Sequence, residues 1–499
     1  MRRISALLIL FLFVGITYAD TWFVGFTDKN GTSGSLSNPK QFLSERAIER
    51  RQHQGIEIDS TDLPVSQPYL DSLVSKGATV IYTTKWLNGA VVSFSEKETA
   101  AGISGLPFVD TLQLTKRDVV MQSARAGKMP AWQNETAMLQ LASDLATEYK
   151  NIIGLDSLHN LGFHGQGKMI SVVDNGFYRV DELPVFSAAR ERIRFVSNIV
   201  NPSTGIYNSG SHGAMVFSLI GGVAEGTHIG TATAAEYCLF HTEDDDSESL
   251  LETDNMVCAF ELADSAGTDI ITSSLGYFYF DDSLSNFTYQ DMNGQTSRCS
   301  RAATMAANKG ILMCIAAGNE GNKQWHYINS PADAEGILTV GGVDINRGHS
   351  TFSAFGPTSD GRVKPEICAL ATAVPIFYPD EFKRYNGTSF ATPVIAGAAA
   401  SLWSALPELT SEQLRNRILE YSSQYLTPDS TYGYGIPDFI AAYYDHPTAV
   451  ENTHNDASNG CLIYDLQGNL RATDITETSH LQQGIYIIKE QGKTRKIAK

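Results

Sequence analysis

Between about Tyr149 and Tyr444, short runs of apolar, β-branched residues alternate with longer helical stretches, and this alternation limits the fold more than any other feature of the chain. The runs are Met169–Val173, Ala235–Phe240, Asp269–Ser273, Ile311–Ala316 and Ile337–Val340, with Leu250–Ala266 and Ser300–Lys309 as helical pieces between them. Strands this short and this apolar bury both faces, which a parallel sheet with helices on either side allows. The expected fold class is α/β, a mostly parallel doubly wound sheet. In such sheets reactive groups gather beyond the carboxyl ends of the strands.

The flanks differ in kind. Arg2 and Arg3, an apolar run from Ile4 to Ile16 and then Thr17-Tyr18-Ala19 have the pattern of a secretory signal peptide over residues 1–19, cut after Ala19. The run is too short to span a bilayer, which takes about 20 apolar residues. Residues 20–118 read as a small α+β unit. Its expected strands are Trp22–Phe26, Thr79–Thr84 and Ala90–Phe94, and its helices are Pro39–Gln54, with a basic face, and Val65–Gly77. Residues 119–148 lack a period and read as a connector. The α/β pattern occupies 149–445, a polar linker follows at 446–460, and 461–499 form a small β-rich module with strands near Cys461–Asp465 and Gly484–Ile488.

Composition excludes several classes. Asp plus Glu number 55 against 37 Lys plus Arg, a net charge of −18, and such a surface repels nucleic-acid phosphates. The six cysteines (Cys238, Cys258, Cys299, Cys314, Cys368 and Cys461) contain no CxxC pair for zinc and are too few for a disulfide scaffold. One or two disulfides stay open, although Cys314 and Cys368 sit in apolar company, as buried free cysteines do. Beyond the N-terminal run no long apolar stretch occurs, so no transmembrane segment is expected in the mature chain.

Four separated segments carry chemistry. Ser171-Val-Val-Asp174-Asn-Gly176 ends an apolar strand on a carboxylate, and Gly210-Ser-His212-Gly213 opens an apolar helix on a histidine. Ala316-Ala317-Gly318-Asn319 ends another strand. Asn386-Gly-Thr-Ser389-Phe-Ala-Thr-Pro393 opens a helix dense in Ala and Gly, with Pro393 expected in its first turn. A serine hydroxyl attacks a peptide carbonyl only when an imidazole takes its proton. The imidazole in turn needs a carboxylate to hold its tautomer. The oxyanion needs preset donors, each typically worth about 10²–10³ in kcat. Asp174, His212 and Ser389 supply the first three groups; the Asn319 amide and the Ser389 N–H supply the donors.

In their order and wording these motifs closely resemble the subtilisin-like serine proteases. The resemblance covers about 300 residues. It implies Asp174 as orienter, His212 as general base and acid, Ser389 as nucleophile and Asn319 as oxyanion donor. It also implies Ser274-Leu275-Gly276 as a substrate-pairing strand and Ala316-Ala317-Gly318 as the wall of the specificity pocket. Asn175 and Ala214 depart from the usual residues, and Lys364–Ala369 lacks a following Pro-Gly. The N-terminal unit resembles the propeptide of exported Bacteroidota-type subtilases, an intramolecular inhibitor. The tail is similar to sorting domains read by type IX secretion. The implied protein is a secreted or surface-attached monomer acting on protein or peptide substrates, with export machinery as a partner through its tail. No cofactor is required and no metal ligand is assigned; structural calcium stays open.

Taken singly, Asp174 is an ordinary turn residue, Ser389 an ordinary helix cap and His212 one of 11 histidines; the joint pattern carries the reading. An α/β-hydrolase esterase would need G-x-S-x-G and a later histidine such as His446, His454 or His480. Gly387–Ala391 breaks that pentapeptide. A third class is a surface interaction protein on an inactive protease fold, which four intact reactive positions argue against. The acidic run Glu243–Asp246, continued by Glu248, Glu252 and Asp254, lacks EF-hand spacing and reads as a solvated loop leading into a helix N-terminus.

Overall fold

The computed structural model describes residues 19–94, 97–117, 134–135, 147–224, 228–445, 462–465, 470–472, 485–490 and 493–498. The expected signal peptide and most of the connector and linker lie outside these residues. No helix among them is long and apolar enough to cross a membrane.

The N-terminal region is an antiparallel sheet ordered β2-β3-β1-β4, built from β1 (Asp20–Phe26), β2 (Thr79–Thr84), β3 (Gly89–Phe94) and β4 (Val109–Lys116). Three of these strands were legible in sequence. β4 was not, because as a largely exposed edge strand it is rich in polar residues. The helix expected over Pro39–Gln54 is shorter, Glu45–His53, and starts where Ser44 accepts a hydrogen bond from Ala47 N. Its basic face is not solvated. Arg50 and Arg51 are buried against the Leu250–Ala266 helix, both bonded to Asp264. Arg51 also binds Asp62, which accepts from Lys309 Nζ at 2.9 Å. On the same helix the Glu261 carboxylate accepts the backbone N–H groups of Lys85 and Trp86 at 2.8 and 3.0 Å. The N-terminal region is thus clamped to the following domain by a buried charge network.

The connector contributes one short strand, β5 (Asn134–Glu135), paired with Arg384–Tyr385. The main domain contains β6 (Met169–Asp174), β7 (Ile193–Asn198), the two-residue β8 and β9 (Val223–Ala224, His228–Ile229), β10 (Glu236–His241), β11 (Ile270–Ser273), β12 (Leu312–Ala316), β13 (Leu338–Val343) and β14 (Ile367–Leu370). Seven of them form one parallel sheet in the order β14-β13-β12-β11-β6-β10-β7. Alternate side chains serve two cores. Ile170, Val172, Leu312 and Cys314 face one, and Met169, Val173, Met313 and Ile315 the other. The five expected strands are all present. The two edge strands, β7 and β14, were missed because β7 is charged and half exposed and β14 has only four residues. A hairpin of β15 (Val374–Phe377) and β16 (Phe382–Tyr385) leads into the long Thr388–Ala405 helix, which is buried along nearly all its length.

Beyond Tyr444 lies a second unit. Its β17 (Leu462–Asp465), β18 (Leu470–Ala472), β19 (Ile485–Glu490) and β20 (Lys493–Ala498) form an antiparallel sheet ordered β18-β17-β19-β20. The buried Ile463 and Ile488 stand opposite each other in it. The five cysteines among the described residues are free thiols.

Candidate active site

β6 ends on Asp174, and the residues after it meet the start of the Ser211–Gly221 helix. A Cβ on Gly213 would lie 2.2 Å from Gly176 O and 2.9 Å from Asp174 Cβ, so glycine alone permits this approach. The contact brings His212 Nδ1 within 2.7 Å of Asp174 Oδ1. With Nδ1–H donating to the carboxylate, Nε2 is the acceptor end of the imidazole, and it has no protein partner among the described residues. Asn175 adds a second tie: its N–H donates to Asp174 Oδ1 at 2.8 Å and its Oδ1 accepts from Gly213 N at 3.4 Å. Burial pushes the His212 pKa down, but the charge and hydrogen bond of Asp174, helped by the charge of Glu243, outweigh it and hold the imidazole above its ordinary value.

Ser389 is the second residue of the Thr388–Ala405 helix. Its N–H belongs to the first turn, where no intrahelical acceptor exists, and it has no other partner among the described residues. The Ser389 hydroxyl donates to the Ser274 carbonyl at 3.3 Å. No hydrogen bond joins it to His212 among the described residues; the imidazole instead lies against Phe390, the neighbour of Ser389, with ring centroids 5.7 Å apart. The histidine and the aspartate are therefore in bond, while the serine hydroxyl is turned toward Ser274.

Pro393 is not in the first turn as expected. It is the sixth residue of the helix, deep enough for its missing N–H to leave the Ser389 carbonyl without a helical donor. The Ser274 hydroxyl fills that role, donating to Ser389 O at 2.8 Å. Ser274 and Ser389 thus exchange two hydrogen bonds.

Asn319 follows β12. Its Oδ1 accepts from the N–H and hydroxyl of Thr388 at 2.9 and 3.1 Å, which leaves Nδ2 as the open end beside the first turn of the serine helix. Gly318 N donates to Thr388 Oγ1 at 3.3 Å. Ser274, Leu275 and Gly276 continue β11, with Leu275 packed on the core and Gly276 exposed. Of the expected wall, Ala316 and Ala317 are buried and the Ala317 methyl belongs to the core, so backbone and Gly318 form its surface. Trp325 stacks on Phe278 and Tyr327 on Tyr289, at 4.6 and 4.0 Å between centroids, tying the loop after Asn319 to the segment after β11.

Sequence reasoning missed Glu243, Thr388, Glu320 and Asn329. Glu320 directly follows Asn319 and could have been noticed; Glu243 was visible only as the start of the acidic run, and nothing local marks Asn329. The acidic run is also less solvated than expected. Glu243 is buried and accepts from Tyr277 OH at 2.6 Å, and Glu252 accepts the N–H groups of Asp244 and Ser249 at the helix start. Glu243, Glu248 and Glu252 have carboxylate oxygens within 4.8 Å of one another, but those of Glu243 and Glu252 are engaged in these bonds.

An imidazole held by a carboxylate on one nitrogen and open on the other, beside a hydroxyl at a helix start and a free amide donor, is equipped for acyl transfer. Comparison with known proteins agrees. Residues 165–435 match the model of the subtilase family, peptidase S8, and residues 21–129 match the S8 propeptide domain of Bacteroidota. The chain is 27% identical to a thermostable alkaline protease of Halalkalibacterium halodurans over 288 residues, covering 57% of this chain and 70% of the relative. It is 27% identical to subtilisin DY of Bacillus licheniformis, covering 58% of this chain and 96% of the relative. Identity to subtilisin E of Bacillus subtilis is 29%, covering 57% and 68%. The chain belongs to the subtilase family and is a subtilisin-like serine endopeptidase preceded by a Bacteroidota-type propeptide domain.

Proposed function

We propose that this chain is a secreted endopeptidase, made as an autoinhibited precursor, that cleaves peptide bonds through an acyl-enzyme on Ser389. When substrate arrives, the Ser389 hydroxyl turns from Ser274 O to His212 Nε2, gives up its proton there and attacks the carbonyl carbon. Asp174 steadies the imidazolium that forms. The oxyanion is received by Asn319 Nδ2 and the Ser389 N–H, which have no partner among the described residues. His212 then protonates the leaving amine, and water hydrolyses the acyl-enzyme by the same route. None of these steps calls for a cofactor. Substrate backbone adds along Ser274–Gly276, as extended peptides do at strand edges.

The observation that carries this reading is the 2.7 Å bond from His212 to the buried Asp174, formed at the strand ends where Ser389 and Asn319 also converge. The clamp of Arg50, Arg51 and Glu261 supports the propeptide as an intramolecular inhibitor. The apolar run after Arg2-Arg3 supports Sec export, and the separate β-module beyond Tyr444 supports a sorting role in type IX secretion. Ser389→Ala is expected to abolish casein hydrolysis and labelling by a fluorophosphonate while circular dichroism is unchanged; undiminished labelling of that variant would refute the assignment. Deleting residues 446–499 is expected to stop export to the medium without loss of activity in the retained enzyme; normal export of the truncated chain would exclude a sorting role.

A further inference from the structure

The propeptide leaves its last strand between two carboxylates of the enzyme. β4 ends on Lys116, whose Nζ lies 2.5 Å from Asp244 Oδ2, and Nε of the next residue, Arg117, donates to Asp282 Oδ2 at 3.2 Å. Successive side chains of an extended chain point to opposite sides, so one cation reaches each loop. The propeptide match continues to residue 129, and both cations therefore precede the bond whose cleavage frees it.

Both loops border the site already described. Asp244 follows Glu243, which accepts from the hydroxyl of Tyr277, and Tyr277 directly follows the Ser274–Gly276 segment proposed to pair with substrate. Two residues before Asp244, Thr242 N donates to Asp174 O at 3.1 Å. Asp282 lies farther along the Tyr277 segment. The two loops are joined where Asp281 N donates to Glu248 O at 2.9 Å and Glu248 N to Asp281 Oδ2 at 3.0 Å.

The enzyme's own bonds set the two carboxylates. Asp244 Oδ2 also accepts from Ser247 Oγ at 2.8 Å and its Oδ1 from Asp246 N at 3.1 Å, while Asp282 Oδ1 accepts from Leu284 N at 3.1 Å. The neighbouring sequence supplies no cation: between Arg194 and Arg298, a stretch that includes both loops, there is no lysine or arginine. Release of the propeptide withdraws Lys116 and Arg117 and leaves both carboxylates in place. With 21% and 34% of their side-chain surface exposed even under the propeptide, they are reachable by a ligand yet incompletely hydrated. In that setting a new cation gains more than it would beside a fully solvated acid.

We propose that Asp244 and Asp282 form a docking site for two consecutive basic side chains on protein substrates, held at a fixed distance on the amino side of the cleaved bond. Lys116 and Arg117 occupy it until the propeptide leaves. The inference rests on the proteolytic reading above and names a feature of its substrates.

The test uses enzyme processed from the full chain and quenched fluorogenic peptides with one fixed sequence around the scissile bond. A Lys-Arg pair, or Ala-Ala in its place, is stepped one residue at a time through the upstream half. At low ionic strength one register is expected to give a Lys-Arg kcat/KM about fivefold above its Ala-Ala counterpart, the scale of two partly exposed ion pairs. The ratio should fall toward one in about 1 M salt, where the screening length is about 3 Å. Asp244→Asn and Asp282→Asn should each lower the ratio, and the double variant should bring it to about one. If these variants fail to mature, the wild-type register and salt profile decides. Three results overturn the inference and leave the proteolytic reading intact. They are equal cleavage of both peptides in every register, a ratio unmoved by the double variant, and an equal Lys-Arg advantage in every register, which the net charge of −18 alone would produce. Failure of wild-type enzyme to cleave any peptide sinks that reading, and the inference with it.

Discussion

Pro393 and Ser274 form a pair whose coupling can be measured. Proline at the sixth position of the serine helix withholds the N–H that would have bonded the Ser389 carbonyl, and the Ser274 hydroxyl replaces it at 2.8 Å. All three residues are buried. Ser274→Ala leaves a buried carbonyl without a donor, which costs about 1–3 kcal/mol. In a Pro393→Ala background the new backbone N–H supplies the missing helical bond, so the same substitution there should cost only about 0.5 kcal/mol. The expected coupling is about 1–2 kcal/mol, within the range for residues in contact. Carrying all four chains in a Ser389→Ala background prevents self-digestion without touching the carbonyl, and thermal unfolding then reads the cycle. Ser274→Ala alone should lower the main transition by roughly 2–5 °C for a domain of this size, with most of that loss absent beside Pro393→Ala. Equal losses in both backgrounds would show that the hydroxyl does not stand in for the helical donor.

Three further outcomes are expected. His212 must be neutral to accept the serine proton, so kcat/KM should fall as pH drops through its pKa, which Asp174 and Glu243 raise. Glu243→Gln should move this acid limb to lower pH, whereas Asp174→Asn should do the same and lower kcat by about 10⁴; a limb unmoved in the pH–rate profile of either variant contradicts the electrostatic account. In the propeptide clamp, burial alone would raise the Asp264 pKa, but Arg50 and Arg51 bring it down to about 2. Its stabilising contribution is therefore present above the ordinary carboxylate pKa and disappears as pH falls toward about 2. Asp264→Asn should destabilise the Ser389→Ala precursor by about 3–5 kcal/mol in urea unfolding, because it leaves two buried guanidinium groups short of a partner. The same change should cost clearly less once the propeptide is removed, and an equal cost in both forms would count against the clamp. Burial pushes the thiols of Cys238 and Cys299 up to about 11 and about 12, and those of Cys314 and Cys368 higher still. Ellman's reagent should leave these four unmodified in the native chain and reach them on denaturation, and rapid native labelling mapped to any of them would contradict their burial.

What the sequence determined by itself is what local pattern can encode. Uniform apolarity of Met169–Val173 and its fellows fixed a sheet buried on both faces, and strands ending on Asp174 and on Ala316–Asn319 put the reactive groups at one edge. Gly213 stands next to His212 in the sequence, and it admits the close approach on which the Asp174–His212 bond depends. The tertiary structure decided everything that depends on approach between distant segments. The basic face of the first propeptide helix is buried because Asp264, more than 200 residues away, and Asp62 meet Arg50 and Arg51. Pro393 lay deeper in its helix than a capping argument allowed, and only the fold shows that Ser274 makes good the lost donor. Asn329 carries no local signal at all. It comes between Gly276 and Gly318 because the loop after Asn319 folds back so that Ser330 pairs with Tyr277, beyond the end of β11, and packing across such loops is set by the whole domain, whereas periodicity along a strand is set by its own residues.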